Sequence, residues 1–153
     1  MINLEIAESF RSEIDSGLIE DAALTTLRHQ SARDDSEMTI VITNDEQLHS
    51  LNYQFLDIDA PTDVLSFPVD FTDPENEVHY MGDILISFPR AESQAAFGGH
   101  DVMSELQLLI VHGVLHILGH DHAISSEKAA MWAAQREILH QLGLEGLKIQ
   151  ESE

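Results

Sequence analysis

The chain has 153 residues, 43% of them hydrophobic, and no cysteine. That length suits one domain with a real core, and the missing cysteine excludes disulfides and thiolate metal sites. A formal charge of −21, with seven Lys and Arg that form no run, opposes non-specific binding to nucleic acid or to an anionic membrane.

The N-terminus, Met1-Ile2-Asn3-Leu4-Glu5-Ile6, lacks the basic stretch and apolar run of a signal peptide. No apolar segment nears the ~20 residues that span a bilayer, and a cytoplasmic protein is expected. Asn3 to Ala7 alternates apolar and polar positions and predicts a short strand. Asp15 or Ser16 caps a helix to about Gln30, with Leu18, Ile19, Ala22, Ala23 and Leu27 as its apolar stripe. The β-branched run Met38 to Thr43 predicts a strand. Asn44, with Gln47 three residues on, starts a helix to about Phe55, with Leu48, Leu51 and Phe55 inward. Val64 to Phe67 and Asp83 to Ser87 predict two more strands, facing each other as a hairpin around the turn residues Asp73-Pro74-Glu75-Asn76. Pro89 opens a helix that Gly98-Gly99 ends. Val102 to Leu118 is apolar nearly all round and predicts a buried central helix. A last helix runs from about Ser125 to Leu142, with Gly143 just past its end. The expected fold is α+β: one domain over residues 1–144, a small sheet of about four strands packed on about five helices, and a polar tail over 145–153.

The histidines concentrate where the central helix ends. His112-Gly113-Val114-Leu115-His116-Ile117-Leu118-Gly119-His120-Asp121-His122 holds four of the chain's nine. His112 and His116 lie one helical turn apart on one face and can share a metal ion. His120 continues the row, but it is about 12 Å along the axis from His112. Metal–nitrogen bonds of ~2.0–2.1 Å cannot span that. His122 reaches the same ion only if the helix stops between them. Gly119 is the residue to stop it, since glycine takes the left-handed conformation without a Cβ penalty. His112, His116 and His122 are therefore the expected ligands of one zinc ion, with a fourth position open to water, as in catalytic rather than structural zinc sites. Another divalent transition metal, such as nickel or copper, is an alternative for three imidazoles. The spacing matches the zincin pattern H-E-x-x-H-x-x-G-x-x-H, but Gly113 stands where those proteases carry their catalytic glutamate.

Three segments together are similar to the YbeY family of bacterial rRNA maturation factors. They are Pro61-Thr62-Asp63-Val64-Leu65-Ser66-Phe67-Pro68, Gly82-Asp83-Ile84-Leu85-Ile86-Ser87, and the whole run from His112 to His122. Weaker similarity passes through Gly99-His100, Glu105-Leu106 and the region of Met131, so that the likeness covers residues 40 to 140 in order and spacing. The resemblance implies a cytoplasmic, metal-dependent, single-strand-specific endoribonuclease. It would act in 16S rRNA 3′-end maturation, ribosome quality control and small-subunit assembly, with zinc on His112, His116 and His122. Its partners would be single-stranded rRNA and the small ribosomal subunit, with neither DNA nor membrane expected. The family often carries an arginine before the Pro-Thr-Asp run. Leu56 stands there in this chain, and Arg90 is the candidate to take its place toward the substrate.

The chemistry this implies is metal-assisted hydrolysis of a phosphodiester. Gly113 cannot accept a proton. Asp121, beside His122, is the candidate base or, preferred here, a partner that orients a ligand imidazole. On the last helix, Met131 and Trp132 are read by helical spacing as core rather than as a platform for stacking bases. Two other classes of function stay open on these residues. One is a ribosome-assembly factor that binds RNA or protein with little cleavage, which Leu56 and the charge keep open. The other is a zincin-like peptidase, which Gly113 disfavours.

Overall fold

The computed structural model describes residues 1–32, 35–121 and 124–147. The first alternating run forms β1 (Ile2–Ile6), and a 3-10 turn over Glu8–Glu13, which no periodicity announces, leads into α1 (Ser16–His29). Asp15 caps α1 by accepting from the amides of Gly17 and Leu18, two of the donors that a helix start leaves without an internal partner. Next come β2 (Ser36–Thr43) and α2 (Asp45–Leu56), whose Asn44 cap accepts from the Gln47 amide at 2.8 Å. Leu48 is buried and Leu51 half-buried, but Phe55 is exposed and meets Phe67 edge-on with ring centroids 5.6 Å apart. The inward place in that part of α2 belongs to Asn52, which is buried and donates to the Ala60 carbonyl at 2.9 Å.

β3 (Val64–Thr72) and β4 (His79–Ser87) both run further than their apolar cores suggested. Pro68 hid the continuation of β3, because proline cannot donate to a ladder and argues against a central strand. The sheet order is β1-β2-β4-β3, so β3 is an edge strand, where that loss is tolerated. Its pairing slips between Pro68 and Phe71, with Asp70 at φ 51°; such a bulge also blunts an edge against other chains. β1, β2 and β4 are parallel, and β3 is antiparallel to β4. β1-α1-β2 is thus a parallel crossover, while the β3–β4 hairpin breaks any regular alternation. The α+β expectation of four strands and five α-helices holds.

α3 (Phe88–Gly98), α4 (Val102–Ile117) and α5 (Ser125–Gln141) complete the chain. α4 is the element on which the others converge, touching α1, α3, α5, β3 and β4. Its Leu106, Ile110, Val111, Val114 and Leu115 are fully buried, each contributing ~1.5–3 kcal/mol of apolar burial. Two glycines set how closely it lies on the sheet. A Cβ at Gly113 would come 3.0 Å from Ile84 Cγ2 and 3.3 Å from Ser66 Oγ, and one at Gly82 would meet the Phe67 carbonyl and the Ile117 side chain. With Gly113 on Ile84 and Ile117 on Gly82, α4 runs antiparallel to β4, and its carboxyl end lies over the start of that strand. Leu144 packs against the core, and so does Leu147 of the segment read as tail; residues 148–153 lie outside the described part. Among the described residues no helix is long and apolar enough to cross a membrane.

Candidate metal centre

α4 ends where its glycine demands. Leu118 is the cap, Gly119 follows at φ 100°, and the amides of His120 and Gly119 donate to the carbonyls of Leu115 and His116, both at 3.0 Å. This is a Schellman motif. It satisfies two carbonyls that the helix end leaves without partners and turns the chain off the helix axis at residue 119.

His112 and His116 face each other across the last full turn, with Nε2 atoms 3.1 Å apart and rings inclined by 74°. Each ring is held from behind. His112 Nδ1 donates to Oε1 of the buried Gln135 on α5 at 3.0 Å, and His116 Nδ1 donates to the His120 carbonyl at 3.0 Å. A proton fixed on Nδ1 leaves the lone pair on Nε2. Two such lone pairs aimed at one place suit a cation. Tetrahedral nitrogens at ~2.0–2.1 Å from zinc stand about 3.3 Å apart, close to the spacing found, so the donor set fits a metal of that size. His122, the expected third ligand, lies outside the described residues. Among those described, no third His, Asp or Glu joins the pair.

The neighbouring residues sort themselves by position. His120 turns its Nε2 to Gln30 Oε1 at the end of α1, at 2.7 Å, and contributes its carbonyl to the site rather than its ring. Asp121 is exposed just after the turn. Gly113 faces the sheet, so a side chain at the zincin glutamate's place would run into Ile84 and Ser66, not toward the imidazoles. Arg90 is not brought to the histidines. It lies past the carboxyl end of β4 and bonds Asp45 twice, Nε to Oδ1 at 3.4 Å and Nη2 to Oδ2 at 3.2 Å, holding α3 to the start of α2. α4 runs back along β4, with Gly113 on Ile84 and Ile117 on Gly82, so its histidines are carried away from the strand end that Arg90 follows. Leu56, at the family's arginine position, is the exposed last residue of α2.

One residue escaped the sequence reading, and two others, Trp132 and Glu105, stand differently from what it gave. Gln135 sits among Met131, Ala134 and Ile138 on the buried face of α5; its one signal was a glutamine interrupting an apolar stripe. Trp132 is half-exposed rather than core, and its ring centroid is 6.3 Å from that of His112. Further up α4, Glu105 is buried and bonded to His100 at 2.6 Å. Burial pushes its carboxyl pKa up against the opposing pull of His100.

The family model described as Endoribonuclease YbeY matches residues 3–143. Among curated relatives named Endoribonuclease YbeY, that of Chloroflexus aurantiacus is 45% identical over 136 residues, spanning 85% of this chain and 88% of the relative. That of Roseiflexus castenholzii is 40% identical over 149 residues, spanning 94% of each. That of Dehalococcoides mccartyi is 38% identical over 146 residues, spanning 88% of each. The solution structure of TM1509 from Thermotoga maritima matches with a TM-score of 0.57 at 21% identity, covering 99% of this chain and 98% of that one; at that identity the likeness concerns the fold alone.

Proposed function

The chain belongs to the endoribonuclease YbeY family, and from that premise we propose that it is a zinc-dependent, single-strand-specific endoribonuclease of the cytoplasm. Its substrate is the RNA of the small ribosomal subunit, in 16S rRNA 3′-end maturation and ribosome quality control. The observation that carries the reading is the imidazole pair, with Nε2 atoms 3.1 Å apart and each ring pinned through Nδ1 by an oxygen. His112, His116 and His122 hold the ion. When bound, the cation supplies positive charge at a phosphoryl oxygen and lowers the pKa of water to ~7. Gln135 and the His120 carbonyl keep the ring protons on Nδ1 and so keep both Nε2 atoms available. Asp121 has the role of orienting a ligand ring. On a chain of −21, charge for the scissile phosphate has to be supplied locally, because a distant cation is screened within ~10 Å at ordinary salt.

One observation favours a second reading, an assembly factor that binds RNA with little cleavage. Leu56 offers no charge where the family often has arginine, and Arg90 is engaged by Asp45. The test incubates zinc-loaded protein with single-stranded RNA from the 16S 3′ region, with duplex RNA and with casein, beside His116→Ala. Cleavage of the single strand only, lost in the variant, is the expected result. Binding without cleavage would select the assembly factor, and casein cleavage the peptidase. RNA cleavage that persists in His116→Ala would overturn the role given to the metal.

A further inference from the structure

Beside the histidine pair lies a cavity that the reaction described above does not use. It opens between the end of α1, the second half of α5 and the turn that follows, encloses about 970 Å³, and is lined in part by Trp132, Arg136, Leu139, Leu144, His29 and His140.

Three observations point to one occupant. Trp132 forms a wall of this cavity while its ring stands 6.3 Å from that of His112, so cavity and metal centre share a side chain. The charge at the rim is uneven. Glu137 is held by His29 at 2.9 Å and Glu145 by His140. Arg136, exposed at the same rim, enters no hydrogen bond or ion pair among the described residues. In a chain with only seven Lys and Arg, a guanidinium left to solvent beside an aromatic wall is the complement of a phosphate carrying a base. Finally, Trp132 Nε1 is buried with no acceptor among the described residues. Phenylalanine would fill the same apolar space without that loss, so the indole has a use beyond filling space, and its larger ring face supplies one.

We propose that Trp132 and Arg136 form a nucleotide subsite next to the cleavage centre. One base of the single-stranded RNA stacks on the indole, and its phosphate meets the guanidinium. This rests on the ribonuclease reading and adds where the strand lies. Every base has a π-face, so such a subsite grips a strand without reading its sequence. In a duplex the bases are stacked on one another and none is offered, which gives a preference for single strands a physical source.

Trp132 is the chain's only tryptophan, so its emission reports on the subsite whether or not cleavage occurs. Zinc-loaded protein is titrated with a short 2′-O-methyl oligonucleotide, which resists cleavage, and binding is followed in parallel by the anisotropy of an end label. Emission should be quenched in step with binding, and the same strand annealed to its complement should not quench. Trp132→Leu should weaken binding roughly 5- to 150-fold. Arg136→Gln should make the slope of log K against log salt shallower by about 0.7. Melting temperatures check that both variants fold; if the leucine variant does not, Arg136→Gln and the wild-type emission still decide. A strand that binds with unchanged emission and an unchanged salt slope in Arg136→Gln overturns the subsite and leaves the ribonuclease reading standing. A strand that does not bind at all takes both down.

Discussion

Replacing Gln135 by leucine should weaken metal binding without weakening the fold. Gln135 is fully buried; its Oε1 accepts from His112 Nδ1 at 3.0 Å, while its Nε2 has no partner among the described residues. The amide thus carries one satisfied and one orphaned polar group. Leucine removes the orphan, a gain of ~1–3 kcal/mol, and strands the His112 Nδ1–H, a cost of ~1–3 kcal/mol of the same kind. The two offset, so the metal-free variant should unfold within about 1 kcal/mol of the wild type. The metal affinity has no such offset. Without an acceptor at Nδ1, nothing selects the tautomer with a bare Nε2, and nothing fixes the ring. Loss of such a partner costs about 10- to 100-fold in affinity, or about 1.4–2.7 kcal/mol. The assay is competition for zinc against a chelating dye at fixed pH, with urea unfolding of the metal-free protein beside it. A leucine variant that binds zinc like the wild type would refute the assignment of His112 as a ligand held through Nδ1. One that loses several kcal/mol of stability would mean that Gln135 serves the fold first.

Gly113→Glu restores the zincin residue at its place in the sequence but sets its Cβ 3.0 Å from Ile84 Cγ2. Overpacking at ~1–3 kcal/mol, with an unpaired buried carboxylate added, should lower the melting temperature and yield no casein cleavage; a stable variant that digests casein would show that position 113 faces the metal. Glu105→Gln tests the buried acid. Burial raises the Glu105 pKa above its ordinary 4.5, so its contribution to stability is complete below that value and lost as pH climbs through the raised one. Glutamine does not titrate, and the stability of the variant relative to wild type, from urea unfolding, should grow as pH climbs above the ordinary 4.5. A difference that stays flat or shrinks contradicts the raised pKa.

Where the physics is local, these elements were legible in the residues. The stripe of α1, the all-round apolar α4 and the left-handed glycines 99, 119 and 143 appear where side-chain chemistry puts them. What stayed hidden is what one segment receives from another. Pro68 reads as a strand end until β3 is known to be an edge, and Phe55 reads as inward until Asn52 is seen bonding the Ala60 carbonyl. The spacing of His112 and His116 announced the pair. Their orienting partners were out of reach, one being Gln135 on another helix and the other a backbone carbonyl, which carries no residue identity. Arg90 is the opposite case. Its charge suggested a role toward substrate, and only the fold reveals Asp45, from the start of another helix, already on it.

A charge of −21 on an enzyme of RNA is an electrostatic problem that a few cations decide. Of the seven Lys and Arg, Arg90 is on Asp45 and Arg11 donates to the Ile6 carbonyl at 3.2 Å. Five remain, of which Arg33 and Lys148 lie outside the described residues; a strand that lies across the histidines and meets Arg136 and at most one other of them has one or two phosphates neutralised by side chains, not six. For single strands log K falls against log salt with a slope of about −0.7 per phosphate, so the expected slope is about −0.7 to −1.4, roughly a three- to sevenfold loss between 50 and 200 mM salt. Repulsion between the acidic surface and the strand works the other way, because salt screens it, and flattens the slope further. Binding of an uncleavable strand over that range checks the expectation. A slope of about −4 or steeper needs some six phosphates neutralised, a basic face that this chain lacks, and would place the RNA on something other than these residues. With the phosphate contribution so small, the affinity expected on this proposal comes from stacking on Trp132 and from a metal held by the histidines. The strand is then held best where it is cut, and the acidic remainder of the surface repels RNA that does not reach that place.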